Sequence, residues 1–150
     1  MLKQQLQNDL KAAVQAHDAI KVATLRLLLA AIANKEIALR KKEEGISGEE
    51  AHAVVRSEVK KRKEAAAAFA AAGRAEQAAR EEAEGGILQR YLPEELSDAA
   101  LRELVSETIR KGAFDGPAAL GKAMKEIMSR VAGRASGERV RAMVQHVLGA

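Results

Sequence analysis

The sequence predicts an all-α protein: an N-terminal bundle of long helices followed by a small three-helix C-terminal domain. Alanine, the best helix former, makes up about a fifth of the 150 residues. Prolines number only two, and β-branched runs are few. Apolar residues recur at helical spacing along most of the chain. Aromatics are 2% of the residues, namely Phe69, Tyr91 and Phe114. The core is therefore expected to be thin, built from Leu, Ile, Val and Ala in closely approaching helices.

The first helix is expected over Leu2 to Ala16, with Leu2, Leu6, Leu10, Ala13 and Val14 facing inward. His17-Asp18 makes a short joint. The second helix is apolar nearly all round from Leu25 to Ile32, apart from Arg26. Such a segment predicts the centre of a bundle, because a surface helix needs only one apolar face. It dissolves into the charged run Arg40 to Glu44 and stops at Gly45. Ser47 and Glu50 have capping-box spacing, each able to satisfy a free N–H at the next helix start. That third helix runs to about Ala72 and ends at Gly73, which tolerates a left-handed cap. A fourth helix follows from Ala75 to about Leu92. Gly85-Gly86 interrupts it, since a mid-helix Gly costs about 1 kcal/mol relative to Ala, and its continuity is an open question.

Pro93 disfavours helix in the residue before it, and Ser97 is a good N-cap. The border between an N-terminal helical domain, 1–92, and a C-terminal one, 93–150, is placed there. Three short helices are expected beyond it: Asp98 to Lys111, Pro117 to Val131 and Gly137 to Leu148. Pro117 suits the first turn of its helix. Leu120, Met124, Ile127, Met128 and Val131 fall on one side of the second of these. Lys122 and Lys125 project from the other, since each residue turns the helix by about 100°. In the last helix Val140, Met143, Val144, Val147 and Leu148 make the inward stripe, leaving Arg139, Arg141 and Gln145 outside.

Cysteine is absent, so there is no disulfide framework, thiol nucleophile or thiolate metal site. His17, His52 and His146 are far apart, without the close His spacing of a zinc site. Adjacent carboxylates such as Glu81-Glu82 and Glu94-Glu95 diverge on a helix and read as solvated charges. Neither a nucleophile elbow nor a phosphate-gripping glycine loop is present. The expectation is no catalytic residue, no metal and no cofactor. Lys3, Asp9 and Lys11 interrupt any apolar run at the start. The longest apolar stretch, Leu27 to Ala33, is far short of the roughly 20 residues a membrane span needs. The expected setting is cytoplasmic, with no membrane partner.

Net charge is +4. Pro93 to Ile109 holds five acids against one arginine, net −4, whereas Arg110 to Ala150 holds eight cations against three acids, net +5. A basic end suits a polyanion, although a solvated helical surface has the same composition. Reading single-stranded RNA usually needs stacked aromatics, which are too few here. Contacts to phosphates fix position without reading sequence, and the candidates are Lys122, Lys125, Arg130, Arg134, Arg139 and Arg141. Gly133 to Gly137 could also offer N–H groups to a phosphate at the next helix start. The plain alternative is that Gly133 and Ser136 are only a C-cap and an N-cap, and both can hold, since the two use the same unpaired N–H groups. A second ridge, Arg56, Lys60 and Lys63, lies along one face of the third helix. Its alternative is a solvated face, with Arg62 laying its stem over the core and pairing with a carboxylate.

Gly121-Lys122, Met128, Val131, Gly133-Arg134-Ala135 and Val140 together resemble the C-terminal signature of the GatB/YqeY family. Leu25-Arg26, Ala30-Ala31-Ile32, Glu36-Ile37, Lys61-Arg62-Lys63-Glu64, Phe69, Ala72-Gly73-Arg74 and Tyr91-Leu92-Pro93 extend the resemblance nearly end to end. They favour its short stand-alone branch over the long amidotransferase subunit. The resemblance implies a small helical module that, as the tail of the B subunit of tRNA-dependent amidotransferase, contacts the tRNA body. It also implies that ATP and metal chemistry belongs to a separate large domain outside this match. Three roles follow: a non-catalytic tRNA-binding helper, a helical adaptor docking a protein through the alanine-rich third and fourth helices, or an accessory subunit of an amidotransferase, a carbon–nitrogen ligase using glutamine as amido donor. The adaptor would need an exposed apolar patch around Ala65 to Ala72.

Overall fold

The computed structural model describes residues 1–149. Among them are seven α-helices and no strand, and no helix is long and apolar enough to cross a membrane. The chain divides into two compact units, Met1–Leu92 and Pro93–Ala150, each built round its own apolar cluster.

The N-terminal unit contains α1 (Leu2–Gln15), α2 (Ala19–Ala38), α3 (Gly48–Ala71) and α4 (Ala75–Gln89). Leu6, Leu25, Leu28, Ile32, Val55 and Leu88 are almost fully enclosed at its centre. Asp18 starts α2 by accepting the Lys21 N–H at 3.1 Å, the role its short polar side chain suits. Helix α2 is not enclosed all round, as its composition led us to expect. Leu25, Leu28 and Ile32 point into the core, whereas Leu27 is 54% and Ile37 59% exposed. The reason is topological: the unit's other three helices cover one flank of α2 and leave the other bare. Val14, expected inward, is also exposed, because the buried stripe of α1 runs through Leu6 and Ala13.

Helix α2 also ends earlier than Gly45. Arg40 adopts a left-handed φ of 57°. The Arg40 N–H then bonds to Ile37 O at 3.0 Å and the Lys41 N–H to Glu36 O at 2.8 Å, a closure usually made with glycine. Lys41 is thereby aimed at Glu50, with Nζ 2.8 Å from Oε1. Glu50 is the second half of the capping box of α3. Its Oε2 accepts the Ser47 N–H at 2.7 Å, and Ser47 Oγ accepts the Glu50 N–H at 3.1 Å.

The Lys41 ammonium, with the Ser47 N–H, holds the Glu50 carboxyl down at about 2. A carboxyl depressed on folding stabilises the fold above its unfolded pKa, and that contribution fades as pH falls through the folded value. Glu50→Gln is therefore expected to lower the melting temperature much more at pH 7 than at pH 2. Melting curves of the two proteins that stay equally far apart across this window would refute the charge linkage.

Helix α4 is continuous through Gly85-Gly86. Gly85 is buried, and a Cβ there would lie 3.4 Å from the Cβ of Arg62, so the glycine lets α3 and α4 approach closely. Arg62 spans that contact, its Nε 3.1 Å from Glu84 Oε2 and 3.8 Å from Glu81 Oε2. Glu81 is thus turned into the helix pair rather than solvated beside Glu82. Arg80 supports Glu84 from the other side at 3.2 Å. Ala66 and Ala78 are buried farther along the hairpin, while Ala67, Ala68, Ala70, Ala71 and Ala72 are exposed at its tip.

The C-terminal unit contains α5 (Asp98–Gly112), α6 (Leu120–Val131) and α7 (Gly137–Leu148). Ser97 and Ser136 cap α5 and α7, accepting the Ala100 and Arg139 N–H groups at 3.1 and 3.2 Å. Pro117 does not open α6. It begins a single 3₁₀ turn, Pro117–Ala119, and α6 starts at Leu120. The core holds Leu101, Val105, Ala123, Ile127, Val131, Val140 and Val144. Met128 sits at its rim, exposed rather than inward.

Candidate nucleic-acid interface

The six cations singled out in the sequence fall into two groups. Lys122 and Lys125 stand on the face of α6 opposite Ala123, Ile127 and Val131, and Arg141 lies on the outer face of α7; all three are exposed. Among the described residues they form no ion pair. They face solvent, and their charge is free for an anion. The amphipathic pattern forces this arrangement, because burying an unpaired ammonium costs several kcal/mol.

The other three are engaged within the protein. Arg130 Nε lies 3.4 Å from Glu126 Oε1, one turn earlier on the same helix. Arg134 Nε donates to Glu94 O at 3.2 Å, and Arg134 O accepts the Leu96 N–H at 2.7 Å. Arg139 Nη2 donates to Leu96 O at 2.8 Å and to Asp98 Oδ1 at 2.9 Å, while Nη1 is 3.8 Å from Glu95 Oε2. Arg134 and Arg139 thus stitch Glu94–Asp98 to the α6–α7 connection. The opposite charges of the two stretches, separated in the sequence, are partly spent on each other.

The α6–α7 connection is a left-handed turn closed by backbone hydrogen bonds. Ala132 and Gly133 are both left-handed, at φ 50° and 79°. The Ala132 N–H bonds to Met128 O at 3.2 Å and the Arg134 N–H to Val131 O at 3.0 Å. Gly121 carries no such constraint, since a Cβ there meets nothing within 4 Å.

Elsewhere on this unit, His146 Nε2 faces Arg102 Nη2 at 3.4 Å. Among the described residues no group of three or more His, Asp and Glu is placed to hold a metal ion. Glu107 is paired with Lys111, whose ammonium lowers its carboxyl pKa. Phe114 packs against the C-terminal core.

The second basic ridge is weaker than its spacing suggested. Arg56 lies 4.0 Å from Glu49 and Lys60 3.9 Å from Glu64, and Lys63 is exposed. The contacts of Arg139 were invisible to a reading of spacing, because they reach back more than 40 residues. The one hint was the acidic run 94–98 in the same unit.

A family model described as Yqey-like protein matches residues 3–148, almost the whole chain. The chain belongs to the YqeY-like family. This membership covers both units of the YqeY-like chain, including every cation described above. No curated protein matches it.

Proposed function

We propose that this YqeY-like protein is a non-catalytic helper that docks on folded tRNA, with the C-terminal unit meeting the phosphate backbone. The observation that carries the reading is the exposed set Lys122, Lys125 and Arg141, unpaired among the described residues, on a three-helix frame. Arg134 and Arg139, already bonded to backbone carbonyls, hold that frame and keep donor groups at the surface for further phosphate oxygens. The sole aromatic of this unit, Phe114, is partly buried against its core; one ring makes no stacking platform for successive bases, so recognition rests on RNA shape. The resemblance of the Gly121-Lys122, Met128, Val131 and Gly133-Arg134-Ala135 pattern to the tail of glutamine-dependent aminoacyl-tRNA amidotransferase supports the choice of tRNA over other folded RNA. An accessory role in such a ligase would use the same docking.

The test is fluorescence anisotropy of labelled tRNA at about 50 and about 200 mM salt. Three phosphate contacts predict roughly a 40-fold loss of affinity between the two, since log K falls by about 0.9 per contact for each decade of salt. Lys122→Glu with Lys125→Glu and Arg141→Glu should remove most of the binding and flatten that slope. Binding that ignores both salt and charge reversal would rule the proposal out. The exposed alanines at the α3–α4 tip favour a second reading, a protein adaptor, whose affinity would instead be insensitive to salt.

A further inference from the structure

Helix α2 has two apolar faces, and its own unit uses only one. Leu25, Leu28 and Ile32 enter the core. On the bare side stand Ile20, Ala23, Leu27, Ala30, Asn34 and Ile37, with Ile20 41% exposed and Leu27 and Ile37 more so. Their spacing alternates three and four residues without a break. That is the a/d repeat of a coiled-coil seam, sustained over the whole helix.

We infer that this face is the contact between two copies of the chain, paired antiparallel through α2. The choice of a second copy rests on how the seam matches itself. In an antiparallel pair centred between Leu27 and Ala30, Leu27 meets Ala30 of the second copy and Ala23 meets Asn34. Ile20 meets Ile37 at both ends. Each of the four central layers then sets a small side chain against a larger one, so the two helices keep an even separation. A parallel pair would stack Leu27 on Leu27 and Ala30 on Ala30, alternately crowded and hollow, which close packing disfavours.

Charge follows the same register. Arg26, the cation bordering the seam, falls opposite Ala33 of the second copy rather than opposite another cation. It is also less than a turn from the layer where Asn34 is buried, placing its guanidinium within reach of the Asn34 amide oxygen. Glu36 takes no part, being buried on the core side with Lys3 Nζ at 2.8 Å. Antiparallel alignment also sets opposite ends of the helix dipoles together. A two-fold axis makes the patch self-complementary and closes the assembly at two copies.

The experiment is sedimentation equilibrium from about 5 to about 500 µM protein, the span expected for a small interface of weak affinity. The mass should climb from 16.1 kDa toward twice that. Leu27→Glu, on an exposed position and therefore compatible with folding, should hold the protein at the single-chain mass with unchanged helicity.

Register is tested by disulfide trapping, which is clean because the chain has no cysteine. Ile20→Cys with Ile37→Cys should give a covalent dimer on oxidation, whereas Ile20→Cys alone should not. The two positions lie roughly 25 Å apart on one helix and cannot close within a chain. A mass that stays at one chain at the highest concentration, or a dimer indifferent to Leu27→Glu, overturns the interface. Efficient trapping by Ile20→Cys alone overturns the antiparallel register.

Discussion

Ile127→Ala is expected to unfold the C-terminal unit at room temperature while α1 to α4 remain folded. Ile127 is fully buried between Val131, Ala123 and the valines of α5 and α7. Truncating such a side chain costs about 2–5 kcal/mol through lost transfer energy and the cavity left behind. Below roughly 70–80 residues a single core rarely supplies more than 3–5 kcal/mol, and Pro93–Ala150 is smaller than that. The loss is therefore of the same size as the whole stability of the unit. The two apolar clusters share no residue, so the damage should stay local. Hydrogen exchange would show it: amides of α5, α6 and α7 lose protection while those of α2 and α3 keep it. Uniform loss across both units would mean that they fold as one. The same variant should fail to bind tRNA although every cation is still present, which separates the need for a frame from the need for charge.

Arg62→Met is the second large effect, about 3 kcal/mol lost. Glu84 is buried between α3 and α4, and removing the arginine leaves it with Arg80 alone. Breaking one half of a buried ion pair typically costs 3–5 kcal/mol, because the remaining charge is stranded; the partial exposure of this site puts the expectation at the lower end. Arg62 Nε and Glu81 Oε2 lack well-aligned hydrogen bonds, so the cluster is held by charge more than by geometry. That distinction makes a further prediction of the same experiment. Arg62→Met combined with Glu84→Met should recover most of the loss, since replacing both halves with apolar groups of similar volume is often neutral or better. Chemical denaturation of the single and double variants decides it. A double variant as unstable as the single one would show that the cluster is worth more than its burial costs.

Features encoded within four or five residues were legible in the sequence. Ser47 with Glu50, and likewise Ser97 and Ser136, start helices where a short polar side chain precedes an apolar repeat. The outward set of Lys122 and Lys125 follows from the 3.6-residue period alone. Features that depend on distant neighbours were not legible. The bare side of α2 was read as core, because periodicity reports which residues are apolar and not how many helices surround them. The end of α2 is set by Arg40 in a conformation usually left to glycine, so composition alone points past it to Gly45. Gly85 looked like a break in α4, whereas it is a point of close contact with α3, a property of the pair rather than of either helix. Arg134 and Arg139 looked identical in kind to Lys122, yet they are tied to carbonyls of a segment some 40 residues away.

Tyr91 Oη donates to Asp9 Oδ2 at 2.6 Å, fastening the end of α4 to α1. Burial, and then that carboxylate, push the phenol above its usual range. It is also the one tyrosine in a chain without tryptophan. The protein therefore contains a single tyrosine fluorophore, quenched or released by a single contact. Its emission reads whether the first helix is docked, and it does so without a label.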